Sequence, residues 1–83
     1  MKLQRNDIVE LCTGDLFCIQ SIVTTPVIEY PVSGVCVESC SGYFTIDEMD
    51  SWTKEGLHHS SSPNTDLDIL YVYTKQKNPE YFL

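Results

Sequence analysis

The chain has 83 residues, room for one domain with one core and little spare length for a deep enzyme cleft. Its apolar fraction of 42% is that of a folded domain and too high for a disordered tail. The formal net charge of −7 is unevenly spread: from Asp7 to Thr74 eleven acidic side chains face Lys54 alone, a formal −10, and the other cations, Lys2, Arg5, Lys75 and Lys77, lie towards the two ends.

Such a body is repelled by phosphate backbones, which disfavours direct DNA or RNA binding. The acidity serves solubility, or it forms a face that docks on a basic host protein. Residues 1–7 carry positive charge with no apolar run behind them, which argues against a secretory signal, and no run has the length of a membrane span. A cytoplasmic protein without membrane contact is expected. Homo-oligomerisation is a natural supplement to the small stability margin of so short a chain.

In chain order, Ile8–Cys12 alternates as a strand, with Val9 and Leu11 on one face. Thr13-Gly14-Asp15 supplies turn chemistry, because glycine tolerates the positive φ of a tight hairpin. Leu16–Val23 is β-branched and aromatic and completes the hairpin. Residues 24–31 form a connection, since Pro26 and Pro31 remove backbone donors. Val32–Glu38 predicts a third strand in which Val35 and Val37 share a face and Gly34 marks a bend. After a turn at 39–42, Tyr43–Ile46 predicts a fourth strand. Thr45 or Asp47 then caps a short helical turn near residues 47–51, with acids in the first turn favoured by the helix dipole. Residues 57–65 form a polar loop, and Asp66–Thr74 a closing strand with Leu67, Ile69, Tyr71 and Tyr73 on one face. The apolar end of the chain, Tyr81-Phe82-Leu83, packs on the barrel or on a second subunit. Five short strands with tight turns predict a mostly β domain over residues 1–83, a small SH3-like five-stranded curved sheet or barrel with one short helical turn.

Cys12, Cys18, Cys36 and Cys40 are spaced C-x5-C-x17-C-x3-C, without the paired knuckles of a zinc ribbon. They read as free structural thiols, with a disulfide or a metal as the lesser alternatives.

Residues 7–14, Asp-Ile-Val-Glu-Leu-Cys-Thr-Gly, followed by an apolar strand, resemble the first hairpin of KOW and SH3-like barrels. Tyr30-Pro31-Val32, the stretch from Trp52 to Leu57, and Asp66-Leu67-Asp68-Ile69 together resemble a pattern in small uncharacterised bacteriophage and prophage proteins. There a Tyr-Pro-Val strand, a Tyr-Thr-x-Asp-Gly-like turn and a Ser-x-x-Asp-Leu strand follow in this order. The chain departs from it with Trp52 and Glu55 where the pattern has Tyr and Asp. The resemblance implies a phage accessory protein on a small barrel and carries no activity with it.

Catalytic signatures are missing. Ser60, Ser61 and Ser62 lack the strand–elbow–helix setting of a hydrolase serine, and there is no Gly-rich phosphate loop. His58 and His59 are adjacent and point apart in an extended loop, which disfavours joint metal ligation. Asp66 and Asp68 share a strand face and read as solvated acids. The candidate binding residues are the loop aromatics and polar groups Tyr30, Trp52, Thr53, His58, His59, Ser60, Ser61 and Asn64, where a ring can stack a flat ligand while hydroxyls and imidazoles orient it. Trp52 either serves this way or plugs the barrel end. The expectation is a non-enzymatic binding protein with no catalytic residue, metal or cofactor. It would sequester a nucleotide-type immune signal as a counter-defence protein, or inhibit a basic host protein through its acidic face, or act as a structural or regulatory barrel. The placement of the cations discriminates: convergence near Trp52 favours a phosphorylated ligand, and dispersal favours a protein partner.

Overall fold

The β1–β2 hairpin organises the domain. In the computed structural model, which describes residues 2–59, 61 and 65–82, β1 (Ile8–Leu11) and β2 (Leu16–Ile22) pair antiparallel with Val9 opposite Phe17. Gly14 closes the turn at φ +94°, a conformation that L side chains rarely adopt. Three further strands, β3 (Val32–Glu38), β4 (Met49–Trp52) and β5 (Ile69–Tyr73), complete one curved, unclosed antiparallel sheet in the order β4-β3-β2-β1-β5. The protein is therefore mostly β, as its strand periodicities predict, and the one helical piece among the described residues is a single 3₁₀ turn at Pro79–Phe82.

Alternation along the strands sends Val9, Leu11, Phe17, Ile19, Val32, Cys36, Trp52 and Ile69 inward, joined by Phe44 from a loop. Phe17 is the centre of the core. It meets Phe44 at 4.9 Å and Trp52 at 5.2 Å, both edge to face. Val35 and Val37 do share a face, but it is the outer one. Gly34 lies where the β2–β3 register shifts, and a Cβ there would sit 2.9 Å from the Cys18 carbonyl oxygen, so only glycine allows the two strands this close an approach.

Three expectations are corrected. Tyr43–Ile46 is no strand: Gly42, at φ +87°, and the Ser39 hydroxyl, bonded to the Phe44 carbonyl at 2.5 Å, hold it as a loop that drops only Phe44 into the core. The helical turn at 47–51 is also wrong. Thr45 and Glu48 make one reciprocal turn, Asp47 takes φ +72°, and the chain enters β4, where Trp52 pairs with Val32. Strand β5 starts at Ile69, three residues late, because Asp66-Leu67-Asp68 is a turn. A bulge between Ile69 and Tyr71 then shifts its phase. Ile69 faces inward opposite Leu11 and Val72 packs on the core opposite Val9, while Tyr71 is 53% exposed.

The sheet's two edges approach through the β4–β5 connection. The Ile69 amide donates to the Gly56 carbonyl at 2.8 Å, and the Trp52 indole N–H donates to the Leu67 carbonyl at 2.8 Å. Near the end of the chain Tyr81 stacks on Tyr73 of β5 at 4.2 Å.

Candidate functional site

The aromatic and polar residues singled out in the sequence divide into three groups. Tyr30, His58 and His59 border one shallow hollow of about 460 Å³ together with Asp50 and Ser51. His58 Nε2 lies 3.0 Å from Asp50 Oδ2, a pairing that fixes the ring, and His59 Nδ1 lies 3.0 Å from the hydroxyl of Ser61. The two imidazoles thus have separate partners. Trp52 is fully buried, so its ring has no face for a ligand and it plugs the core, one of the two readings its sequence position allows, while Thr53, 6% exposed, borders a different hollow with Lys54 and Glu55. The Thr53 hydroxyl is used internally, accepting the Leu57 amide at 3.0 Å. Ser60 and Asn64 lie outside the described residues.

A second site, which the residue types alone do not mark, forms at the end of the sheet where β1 begins and β5 ends. Pairing of Ile8 with Tyr73 sets the segment before β1 beside the segment after β5. Between them lies a groove of about 500 Å³ lined by Lys2, Arg5, Lys75 and Lys77, with Asp7 and Phe82 among its other walls. Four of the five basic residues of the chain therefore converge in one place, and the fifth, Lys54, lines a different hollow with Glu29 and Glu55. Trp52 is not part of the groove.

Both walls of the groove are hydrogen-bonded turns. On one side Asn6 takes φ +76°, its amide donates to the Ile19 carbonyl at 2.7 Å, and Asp7 accepts the Gln4 amide at 2.9 Å. Asparagine is one of the few residues that tolerates this backbone region. On the other side the Asn78 amide donates to the Thr74 carbonyl at 2.7 Å, and the Lys77 amide to the Thr74 hydroxyl at 3.2 Å. Asp7 is buried and occupied by its own turn. Among the described residues none of the four groove cations makes an ion pair, although the chain carries twelve carboxylates.

Those carboxylates are partly internal. Asp15 is fully buried and accepts hydrogen bonds from the Thr13 and Ser41 hydroxyls at 2.6 and 2.5 Å and from the Cys40 and Ser41 amides at 2.7 and 3.1 Å. Burial pulls its pKa upward, but those donors together outweigh it and hold the carboxyl well below the usual carboxylate range. Asp68, read from sequence as a solvated acid, is instead buried and caps its loop, accepting the His58 and Thr65 amides at 2.8 and 3.0 Å. The four cysteines are free. Burial, then Asp7 or Asp15, pushes the Cys18 and Cys36 thiols up, and partial desolvation and then the neighbouring Asp15 carboxylate do the same for exposed Cys40, so these three stay protonated and are poor nucleophiles. Among the described residues no three His, Cys, Asp or Glu side chains are grouped to hold a metal ion, and no helix is long and apolar enough to cross a membrane.

Comparison with protein-family models, with curated proteins and with solved structures finds no match to this chain.

Proposed function

We propose that this protein is a non-enzymatic binding protein that captures a phosphorylated small molecule in the cationic groove. One observation carries the reading: four of the five basic side chains line that groove without a carboxylate partner among the described residues. Unpaired cations held on ordered turns are complementary to phosphate oxygens and lose little on binding, because no internal ion pair has to break. The acidic body opposes the approach of an anion, but that field is screened beyond about 8 Å at physiological salt, whereas groove contacts act within it. The hollow at His58 has one fixed imidazole–carboxylate pair and no lysine or arginine in its lining, so it is the weaker candidate for this ligand. In the phage-accessory setting implied by the resemblance, such capture removes a nucleotide-type immune signal from the host cytoplasm without turning it over, which is a counter-defence role.

Calorimetric titration of the full chain with inorganic tripolyphosphate at low salt tests the groove directly. The expected result is saturable one-to-one binding that weakens steadily with added salt. The double substitution Lys75→Ala/Lys77→Ala should lower the affinity at least tenfold and leave the urea midpoint unchanged. Absence of binding, or undiminished binding by that variant, would overturn the reading.

One observation favours a second reading, in which the acidic face docks on a basic protein. Glu38, Asp47 and Glu48 are exposed and gather around the end of β3, at the hairpin end of the sheet. Glu38→Lys/Glu48→Lys should then abolish capture of that partner while leaving tripolyphosphate binding intact or stronger.

A further inference from the structure

We infer that the groove's ligand is a nucleoside polyphosphate whose base rests on a shelf of tyrosines beside the cations. This inference depends on the groove being the phosphate site and adds the identity of what the phosphates are attached to.

The shelf is built by β5 and the 3₁₀ turn. Tyr71 and Tyr73 lie two apart on one strand, with ring centroids 4.8 Å apart. The turn at Pro79–Phe82 lays Tyr81 nearly parallel on Tyr73, at 4.2 Å and 21°. The central ring is anchored, since the Tyr73 hydroxyl donates to Glu10 Oε1 at 2.7 Å. That carboxylate, then Tyr81, then burial, push the Tyr73 pKa well above the usual tyrosine value, so the phenol stays neutral. The flanking rings remain open to solvent, Tyr71 at 53% and Tyr81 at 43% exposure.

Shelf and groove are continuous along two segments of chain at once. Tyr73 is followed directly by Thr74 and Lys75, and Tyr81 by Phe82, all three of which line the groove. Tyr73 and Lys75 are separated by at most about 7 Å of extended backbone, and the open ring of Tyr71 and Lys75 by at most about 14 Å, so the base rests at the far end of the row and an extended triphosphate reaches back to the cations. Packing of the tail on the sheet explains the Tyr73–Tyr81 stack without any ligand. It does not explain Tyr71, which extends the row away from the tail and leaves a half-exposed aromatic next to Leu70, itself 60% exposed. A row of exposed rings that leads to a group of cations is an arrangement that can bind a base and its phosphates together.

Charge selects within the nucleotides. A cyclic mononucleotide carries one negative charge and leaves most of the four groove cations without a partner, whereas a nucleoside triphosphate supplies a partner for each. Base stacking on an aromatic ring contributes roughly tenfold or more in affinity and is tolerant of base identity, so no preference among the four bases is expected.

The test compares ATP, inorganic tripolyphosphate and cyclic AMP by calorimetry on the full chain, without divalent metal. ATP should bind at least tenfold more tightly than tripolyphosphate, and cyclic AMP more weakly than both. Tyr71→Ala should reduce ATP to the tripolyphosphate level and leave tripolyphosphate itself unchanged, while Tyr71→Phe keeps the ring and the ATP advantage. Equal affinity of ATP and tripolyphosphate in the unaltered protein overturns the shelf and leaves the groove standing, and so does a Tyr71→Ala loss that falls equally on both ligands. Cyclic AMP binding as tightly as ATP overturns the polyphosphate assignment. Failure of tripolyphosphate to bind at all overturns the groove, and the shelf with it.

Discussion

At the hairpin end of the sheet Asp15 is buried among two hydroxyls and two amides, all donating to it. At the other end Lys2, Arg5, Lys75 and Lys77 border an open groove and make no ion pair among the described residues. The first charge is spent on the fold: every partner it has is internal, and removing it takes the acceptor from two hydroxyls and two amides at once. The others have no such partner among the described residues and remain available. In a protein of net charge −7 the informative charges are thus the minority ones that no carboxylate among the described residues neutralises, and the most completely bonded acid is the least informative about partners.

That contrast is open to direct attack. The largest expected effect is Asp15→Ala, which strands the Cys40 and Ser41 amides inside the loop they hold against the hairpin. A loss of about 3–5 kcal/mol is expected, enough to unfold much of a domain this small, read as the shift in urea midpoint. Trp52→Ala should cost a similar amount, about 3–5 kcal/mol, because a fully buried indole leaves a cavity against Phe17. Little change in melting from that variant would mean that the ring is not a core plug.

A smaller effect is expected from pH. The folded-state pKa of Asp15 is depressed below its unfolded value of about 3.9, so its contribution is fully present above that pH and drains away as pH falls towards the folded value. Urea midpoints should hold from pH 7 to about pH 5 and fall below about pH 4, and Asp15→Asn should flatten that fall. The smallest effect is at the hollow. The side chains of His58 and Asp50 are 29% and 23% exposed, and His58→Ala should cost less than about 1 kcal/mol and leave tripolyphosphate binding untouched. A clear loss of phosphate affinity in that variant would make the hollow, and not the groove, the binding region.

The elements that sequence reveals are those whose signal is local. β1, β2 and β3 carry apolar alternation and a Thr-Gly-Asp turn, and they form where the periodicity places them. β4 is hidden because Met49-Asp50-Ser51-Trp52 has a single inward apolar residue, and its register is imposed by pairing with β3. The neighbouring Tyr43–Ile46 run has better strand residues but no partner strand to bond, and Gly42 turns it away. Asp68 looks like a surface acid because nothing local reports that two distant amides will need an acceptor.

The binding residues divide along the same line. Tyr30, His58 and His59 come together as loop neighbours, whereas Trp52 is lost to the core because an indole of that size is the natural filler beside Phe17. The groove is visible only once topology is known. Its cations stand out in sequence as minority charges at the two ends, but only the β1–β5 pairing brings those ends together.

That pairing also decides when the groove can exist. Ile8 meets Tyr73 across 65 positions of chain, so the hairpin can assemble from nearby residues while β5 has to close a long loop against it. Until β5 docks, the two walls belong to unconnected stretches of backbone and there is no concave surface to occupy. A ligand that bridges the walls binds only the docked form, and its binding free energy is therefore felt mainly by the last strand to join. Occupancy should appear as slowed amide exchange along Ile69–Tyr73, with little change along Leu16–Ile22, so that the ligand acts as a clasp on the closure of the chain.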